Sequence, residues 1–192
     1  MTLGRKLTSM TQPAPKAPSE FHALLQQQIR NEFTASQQYI AVAVYFDSHA
    51  LPQLARRFYS QAAEERGHAM MMIQYLIDNN LEVKVTGIDD VVTDFDSVRA
   101  PVALAVERER AVTEQITKLA RTARESGDYL GERFIQWFLE EQVEEVSDMH
   151  TLLTIVERAG DNLFDIEDFI AREMSGNTPV RPGAPKRAGG GV

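Results

Sequence analysis

The sequence predicts an all-α fold: a four-helix bundle with a short fifth helix and one long crossover. Three observations carry that expectation. Apolar residues recur at alternating spacings of three and four over four long stretches, Pro, Gly and paired Asn punctuate those stretches, and a single connection of about 20 residues separates two hairpin-like pairs. The length of 192 residues suits one domain with a sizeable core, and a composition of 43% hydrophobic and 25% charged residues is that of a globular protein.

The first helix, residues 19–47, opens at Ser19, a favoured N-cap residue, and places Phe21, Leu25, Gln28, Glu32, Ala35, Tyr39, Ala43 and Phe46 on one stripe. The second begins at Pro52, where proline suits a first turn, with Leu54, Phe58, Ala62, Glu65, His68, Met72 and Leu76 on its stripe. Asn79 and Asn80 close it. The long connection covers residues 81–100. The third helix starts at Pro101 with the stripe Val102, Ala105, Glu109, Val112, Ile116, Leu119 and Ala123. After a turn at Gly127 and Asp128, the fourth places Phe134, Phe138, Gln142, Glu145, Met149, Leu152 and Val156 in line before Gly160. Asn162 then opens a short fifth helix over residues 163–173.

Connection lengths set the topology. Short links between the first and second helices and between the third and fourth predict antiparallel hairpins. A helix of about 27 residues is about 40 Å long. A connection of about 20 residues reaches about 65 Å extended, enough to travel the length of the bundle and return the third helix parallel to the second.

The chain divides into residues 1–18, the helical domain 19–174, and the tail 175–192. Both ends are basic and rich in Pro or Gly, with few large apolar residues, so disordered extensions are expected there. The chain's net charge is −8 and each end contributes +3, so the helical body carries −14. An acidic body disfavours nonspecific nucleic-acid binding and attracts cations. No apolar run approaches the roughly 20 residues needed to span a bilayer, so no membrane partner is expected. The first residues lack the apolar segment of a secretory signal, which points to a cytoplasmic protein. Absence of cysteine excludes thiolate metal sites, iron–sulfur clusters and disulfides. Any metal must be held by oxygen and imidazole.

Polar residues interrupt the four apolar stripes near the middle of each helix: Glu32, Glu65 with His68, Glu109, and Gln142 with Glu145. In helices of equal length the centres coincide in height, so these groups converge. A buried, unpaired charge costs several kcal/mol. Four would consume the roughly 5–15 kcal/mol by which a domain is stable. Cations between them resolve the conflict, and carboxylates with one imidazole suit iron or manganese. Four carboxylates balance two Fe(II). A lone E-x-x-H pair on a helix is ordinarily a surface link. Four coincident interruptions favour a two-metal site.

The run Gln28-x-x-x-Glu32, Tyr39 seven residues on, Glu64-Glu65-x-x-His68, Glu109, and Gln136-Trp137 followed by Glu141-Gln142-Val143-Glu144-Glu145 resembles a bacterial non-haem ferritin, of the actinobacterial, mycobacterial type. The resemblance covers about residues 20–173. It implies the ferritin-like bundle, iron storage and detoxification, and a ferroxidase activity, oxidation of Fe(II) by O2 at a di-iron centre with Fe(III) mineral held inside a 24-subunit shell. By the same resemblance Glu32, Glu65 and His68 bind the first iron, and Glu65, Glu109 and Gln142 the second. Glu64, Glu141, Glu144 and Glu145 match a third iron site, with a solvated acidic face as the competing reading. Tyr39 matches a tyrosine beside the di-iron centre. The second helix carries Arg66 where bacterioferritins carry a haem-ligating methionine, so no haem is expected. Helix positions that nucleate mineral in animal ferritins are here Ser60, Ala63 and Gly67. Asp128 and Glu132 are candidate pore residues, with surface ion pairing equally open. The likeness also suggests that the basic tail addresses an encapsulin shell. Two other classes stay open at this stage: a DNA-protecting mini-ferritin-like shell, and a di-iron or di-manganese enzyme handling peroxide.

Overall fold

In the computed structural model the described residues are 19–174 and 182–190, and the regular structure among them is all helical. Four long helices, α1 (Glu20–Ser48), α2 (Pro52–Asp78), α3 (Arg99–Glu125) and α4 (Tyr129–Ala159), are followed by α5 (Leu163–Phe169), which runs into a π-helical turn at Ile170–Met174. The bundle, the crossover and the fifth helix all match the sequence expectation. Residues 1–18, and with them the expected N-terminal extension, lie outside the described residues.

Each boundary has a local cause. At α1 the Ser19 hydroxyl accepts the His22 N–H at 3.3 Å, and the His22 ring accepts the Ser19 N–H at 3.3 Å, a reciprocal capping box. Helix α2 has Pro52 in its first turn and a cap from elsewhere in the chain: the Glu167 carboxylate of α5 accepts the N–H groups of Gln53 and Leu54 at 2.8 and 3.0 Å. Helix α3 starts two residues before Pro101, which leaves the proline in the first turn, where it breaks no hydrogen bond. At α4 Asp128 accepts the Gly131 N–H at 2.9 Å. Gly131 itself is a packing requirement, since a Cβ there would lie 2.6 Å from the Phe21 ring.

Helices α1 and α2 form one antiparallel hairpin, sealed at one end by Phe21 against Tyr75 and at the other by stacked Phe46 and Phe58. Helices α3 and α4 form the other, with Arg99–Glu157 and Arg124–Glu132 ion pairs at opposite ends. The crossover between α2 and α3 has no secondary structure of its own, yet side chains at every fourth position of α1 pin it. Gln26 bonds both backbone groups of Lys84, Arg30 pairs with Asp89, Thr34 accepts the Asp89 N–H at 3.2 Å, and Gln38 bonds both backbone groups of Val92 at 2.8 Å. The path runs from the start of α1 to its end, where Phe95 meets Tyr45. It delivers α3 parallel to α2, as its length predicts.

The buried apolar residues fall into two clusters. One holds Phe46, Leu54, Phe58, Val102, Leu152 and Ile166, and the other Phe21, Leu25, Met72, Ile116, Leu119 and Phe138. A buried polar layer lies between them.

Within the described part of the tail, three residues contact the bundle. Ala184 and Ala188 pack against the second cluster, and the Ala188 N–H donates to the Met70 carbonyl at 3.0 Å. The Arg187 guanidinium occupies the space a side chain at Gly67 would need, its carbon 2.7 Å from an ideal Cβ. Gly67 is thus a notch for the chain's own tail. This stretch is engaged with its own bundle. Residues 175–181 and 191–192 lie outside the described residues.

A candidate two-metal centre

The helical register brings Glu32 of α1, Glu65 and His68 of α2, Glu109 of α3, and Gln142 and Glu145 of α4 into the polar layer, all of them buried. Within it three groups place their ligand atoms within 4.8 Å of one another: Glu32, Glu65 and His68; Glu65, Glu109 and Glu145; and Glu64, His68 and Glu145. Glu65 belongs to the first two, the position of a bridging carboxylate. Glu145, expected among the converging carboxylates and, by the family resemblance, at a third site, stands in the second group as well as the third.

Neutral donors ring the carboxylates. Gln28 donates to Glu32 Oε1 at 2.8 Å, Gln61 to Glu65 Oε1 at 3.1 Å and to Glu145 Oε1 at 3.3 Å, Gln142 to Glu145, and the Tyr39 hydroxyl to Glu109. The Gln142 carbonyl accepts from Thr113 at 2.9 Å. Two oxygens are left out: Glu32 Oε2 and Glu109 Oε2 are buried with no hydrogen-bond partner among the described residues. Orphaned buried acceptors are costly and rare. Glu32 and Glu109 each belong to a group with Glu65 that could hold a cation, and a donor set of carboxylate, amide and one imidazole suits iron.

The electrostatics agree. Burial, and then the Glu65 charge, push Glu32 and Glu145 well above the carboxylate range and bring Glu109 to about 8. Burial is the largest single influence on Glu65 and raises it, but the hydrogen bond and charge of His68, with the hydrogen bonds of Glu32 and Gln61, together hold it low. His68 is pulled the opposite way, its burial outweighed by Glu65 at 3.3 Å. Burial and the Glu109 charge raise Tyr39 well above the usual tyrosine range. Without cations, the layer relieves its repulsion by holding protons.

Glu64 is half-buried, and burial raises its carboxyl. With Glu141, Glu144, Glu145 and Gln61 it lines a cavity of about 320 Å³ between α2 and α4, which also holds the Arg57–Asp148 pair. Glu141 and Glu144 therefore border the third group without joining it. The expected pore residues have local partners: Asp128 caps α4 and faces the His22 ring at 3.6 Å, and Glu132 pairs with Arg124. Arg66 is exposed on α2. Met71 and Met72 are core residues. Trp137 lies edge-on to the His68 ring, centroids 5.7 Å apart. Sequence reasoning did not single out Gln61 or Thr113. Gln61 stands four residues before Glu65, so spacing places it on the same face, but a glutamine there reads equally well as solvated surface.

A family profile described as a ferritin-like domain matches residues 22–159. Ferritin BfrB of Mycolicibacterium smegmatis is 60% identical over 91% of this chain and 96% of its own length. Ferritin BfrB of Mycobacterium tuberculosis is 56% identical over 90% and 94%. Among solved structures, an open-pore ferritin from the hyperthermophilic archaeon Archaeoglobus fulgidus superposes with a TM-score of 0.77 at 26% identity, covering 81% of this chain and 96% of that one.

Proposed function

The chain belongs to the ferritin family, and on that premise we propose that it stores and detoxifies iron, oxidising Fe(II) with O2 at a ferroxidase centre and holding Fe(III) mineral inside a shell of 24 subunits. The observation that carries the reading is the pair of orphaned oxygens, Glu32 Oε2 and Glu109 Oε2, in a layer of four buried carboxylates from four helices.

In this reading iron is the substrate. Glu32, Glu65 and His68 bind one Fe(II), and Glu65, Glu109 and Gln142 bind the other, with Glu145 close enough to share it. Glu65 contributes one oxygen to each side and so fixes the separation of the two ions. The amide donors orient the carboxylates before metal arrives, which lowers the reorganisation each binding event requires. His68 must give up its proton to bind a cation, and the layer sheds protons as cations enter. Tyr39 is hydrogen-bonded to Glu109 and stands next to the second ion. Glu64, Glu141, Glu144 and Glu145, along the α2/α4 cavity, take a third iron on its way out of the bundle. Arg66, with no lone pair to offer, leaves haem without an axial ligand from that position. The mini-ferritin-like reading fares less well because mini-ferritins place ligands between subunits and all three groups here come from one chain. The peroxide-handling reading does so because the chain has no cysteine and a single E-x-x-H imidazole in the layer. No described helix is long and apolar enough to cross a membrane, and a cytoplasmic site suits the proposed role.

The test is Glu65→Ala. Stopped-flow mixing of the Fe(II)-loaded, anaerobic protein with O2 is expected to show fast oxidation in the wild type and its loss, by at least tenfold, in the variant. Oxidation at the wild-type rate in Glu65→Ala rules the di-iron reading out. Light scattering before and after aerobic Fe(II) loading checks the shell and its mineral.

A further inference from the structure

We propose that Gln28 is a positioning residue for Glu32, held in orientation by Asn31 and Gln115, so that Glu32 presents Oε2 to the first iron. The inference rests on the two-metal reading above and concerns residues that touch no metal.

The orientation follows from donor and acceptor chemistry. Asn31 accepts at its carbonyl from Gln27 at 3.1 Å, so its amide nitrogen faces the other way and donates to Gln28 Oε1 and Gln115 Oε1, both at 3.0 Å. With its carbonyl engaged by Asn31, Gln28 can turn only its own nitrogen towards Glu32, and a carboxylate is an acceptor that takes it, at 2.8 Å. Gln28 is 2% exposed and Glu32 1%, so no solvent competes for either group. One oxygen of Glu32 is thereby engaged and the other left with no donor among the described residues. Asn31 and Gln115 line a pocket of about 130 Å³ bounded by α1, α3 and Asp89 of the crossover. The chain of amides therefore starts at the outer rim of the bundle, where the pinned crossover covers α1, and ends on a metal-facing carboxylate. Glu109 has the same asymmetry, one oxygen bonded by Tyr39 and the other without a partner among the described residues, but its donor is itself buried inside the layer.

Anaerobic titration of the assembled full-length protein with Co(II), followed by visible absorption, separates the possibilities, with His68→Ala assigning the band of the first site. The wild type is expected to take two Co(II) per subunit in the layer. Gln28→Met keeps the side-chain size but removes the donor; it is expected to weaken the first site by 10- to 100-fold and alter its band while leaving the second site unchanged. Asn31→Leu, on a half-exposed residue, is expected to act in the same direction, and it carries the test if Gln28→Met fails to assemble. Wild-type affinity and bands in both variants overturn the inference, and so does an equal weakening of both sites, the mark of a general packing defect. A wild type that takes up no Co(II) overturns the two-metal reading instead.

Discussion

Glu109 shows how a single residue reports on the site. Its carboxyl sits near 8 in the folded protein, against 4.5 when unperturbed, so its contribution to stability is fully present below about 4.5 and is lost as pH rises through about 8. Glu32 and Glu145 are shifted in the same direction. The metal-free protein is therefore expected to lose stability between pH 5 and 9, seen as a falling guanidinium midpoint, with a shallower fall in Glu109→Gln. Saturating Co(II) should remove the fall, because a cation takes the place of the protons. Most of this chemistry was legible in the sequence: each acid interrupts an apolar stripe, and stripes are readable. The sharing of roles was not. Glu145 enters the second group because its side chain reaches across to Glu65 and Glu109, and rotamer choice leaves no trace in spacing.

At the level of elements, the ties between distant segments are where sequence reading stopped. Glu167 caps α2 from more than a hundred residues away, and nothing local to Pro52 signals it. Glu167→Ala is expected to cost about 1 kcal/mol, the usual worth of an N-cap, measured as a lower unfolding midpoint at constant m-value. The crossover's length announced its direction, while its attachment did not show, because glutamines at positions 26 and 38 look like ordinary exposed helix residues. Gly67 is a similar case. A glycine in mid-helix reads as a weak point, yet here it is the seat of Arg187. Gly67→Val is expected to displace the tail, so that trypsin cleaves after Lys186 and Arg187 faster than in the wild type while the helical circular dichroism is kept. Unchanged cleavage would mean that the tail does not depend on that notch.

Across the whole molecule, large apolar side chains stay exposed on one subunit, Phe164 at 88%, Tyr129 at 77% and Val143 at 71%, and the proposed assembly would be expected to cover such surfaces. Phe164→Lys is expected to shift the light-scattering mass from shell to smaller species without loss of helix, and an intact shell would place Phe164 outside the contacts. Fold class was the most legible property, since helical period, punctuation and connection lengths all agreed. Assembly was the least, because exposure is a property of the folded surface. The separation of the apolar core into two clusters, with the carboxylates between them, has a further consequence. Cohesion resides at the ends of the bundle and the ionisable groups in its middle, so under the proposed function iron would be loaded and discharged there without the chain having to loosen its grip on itself.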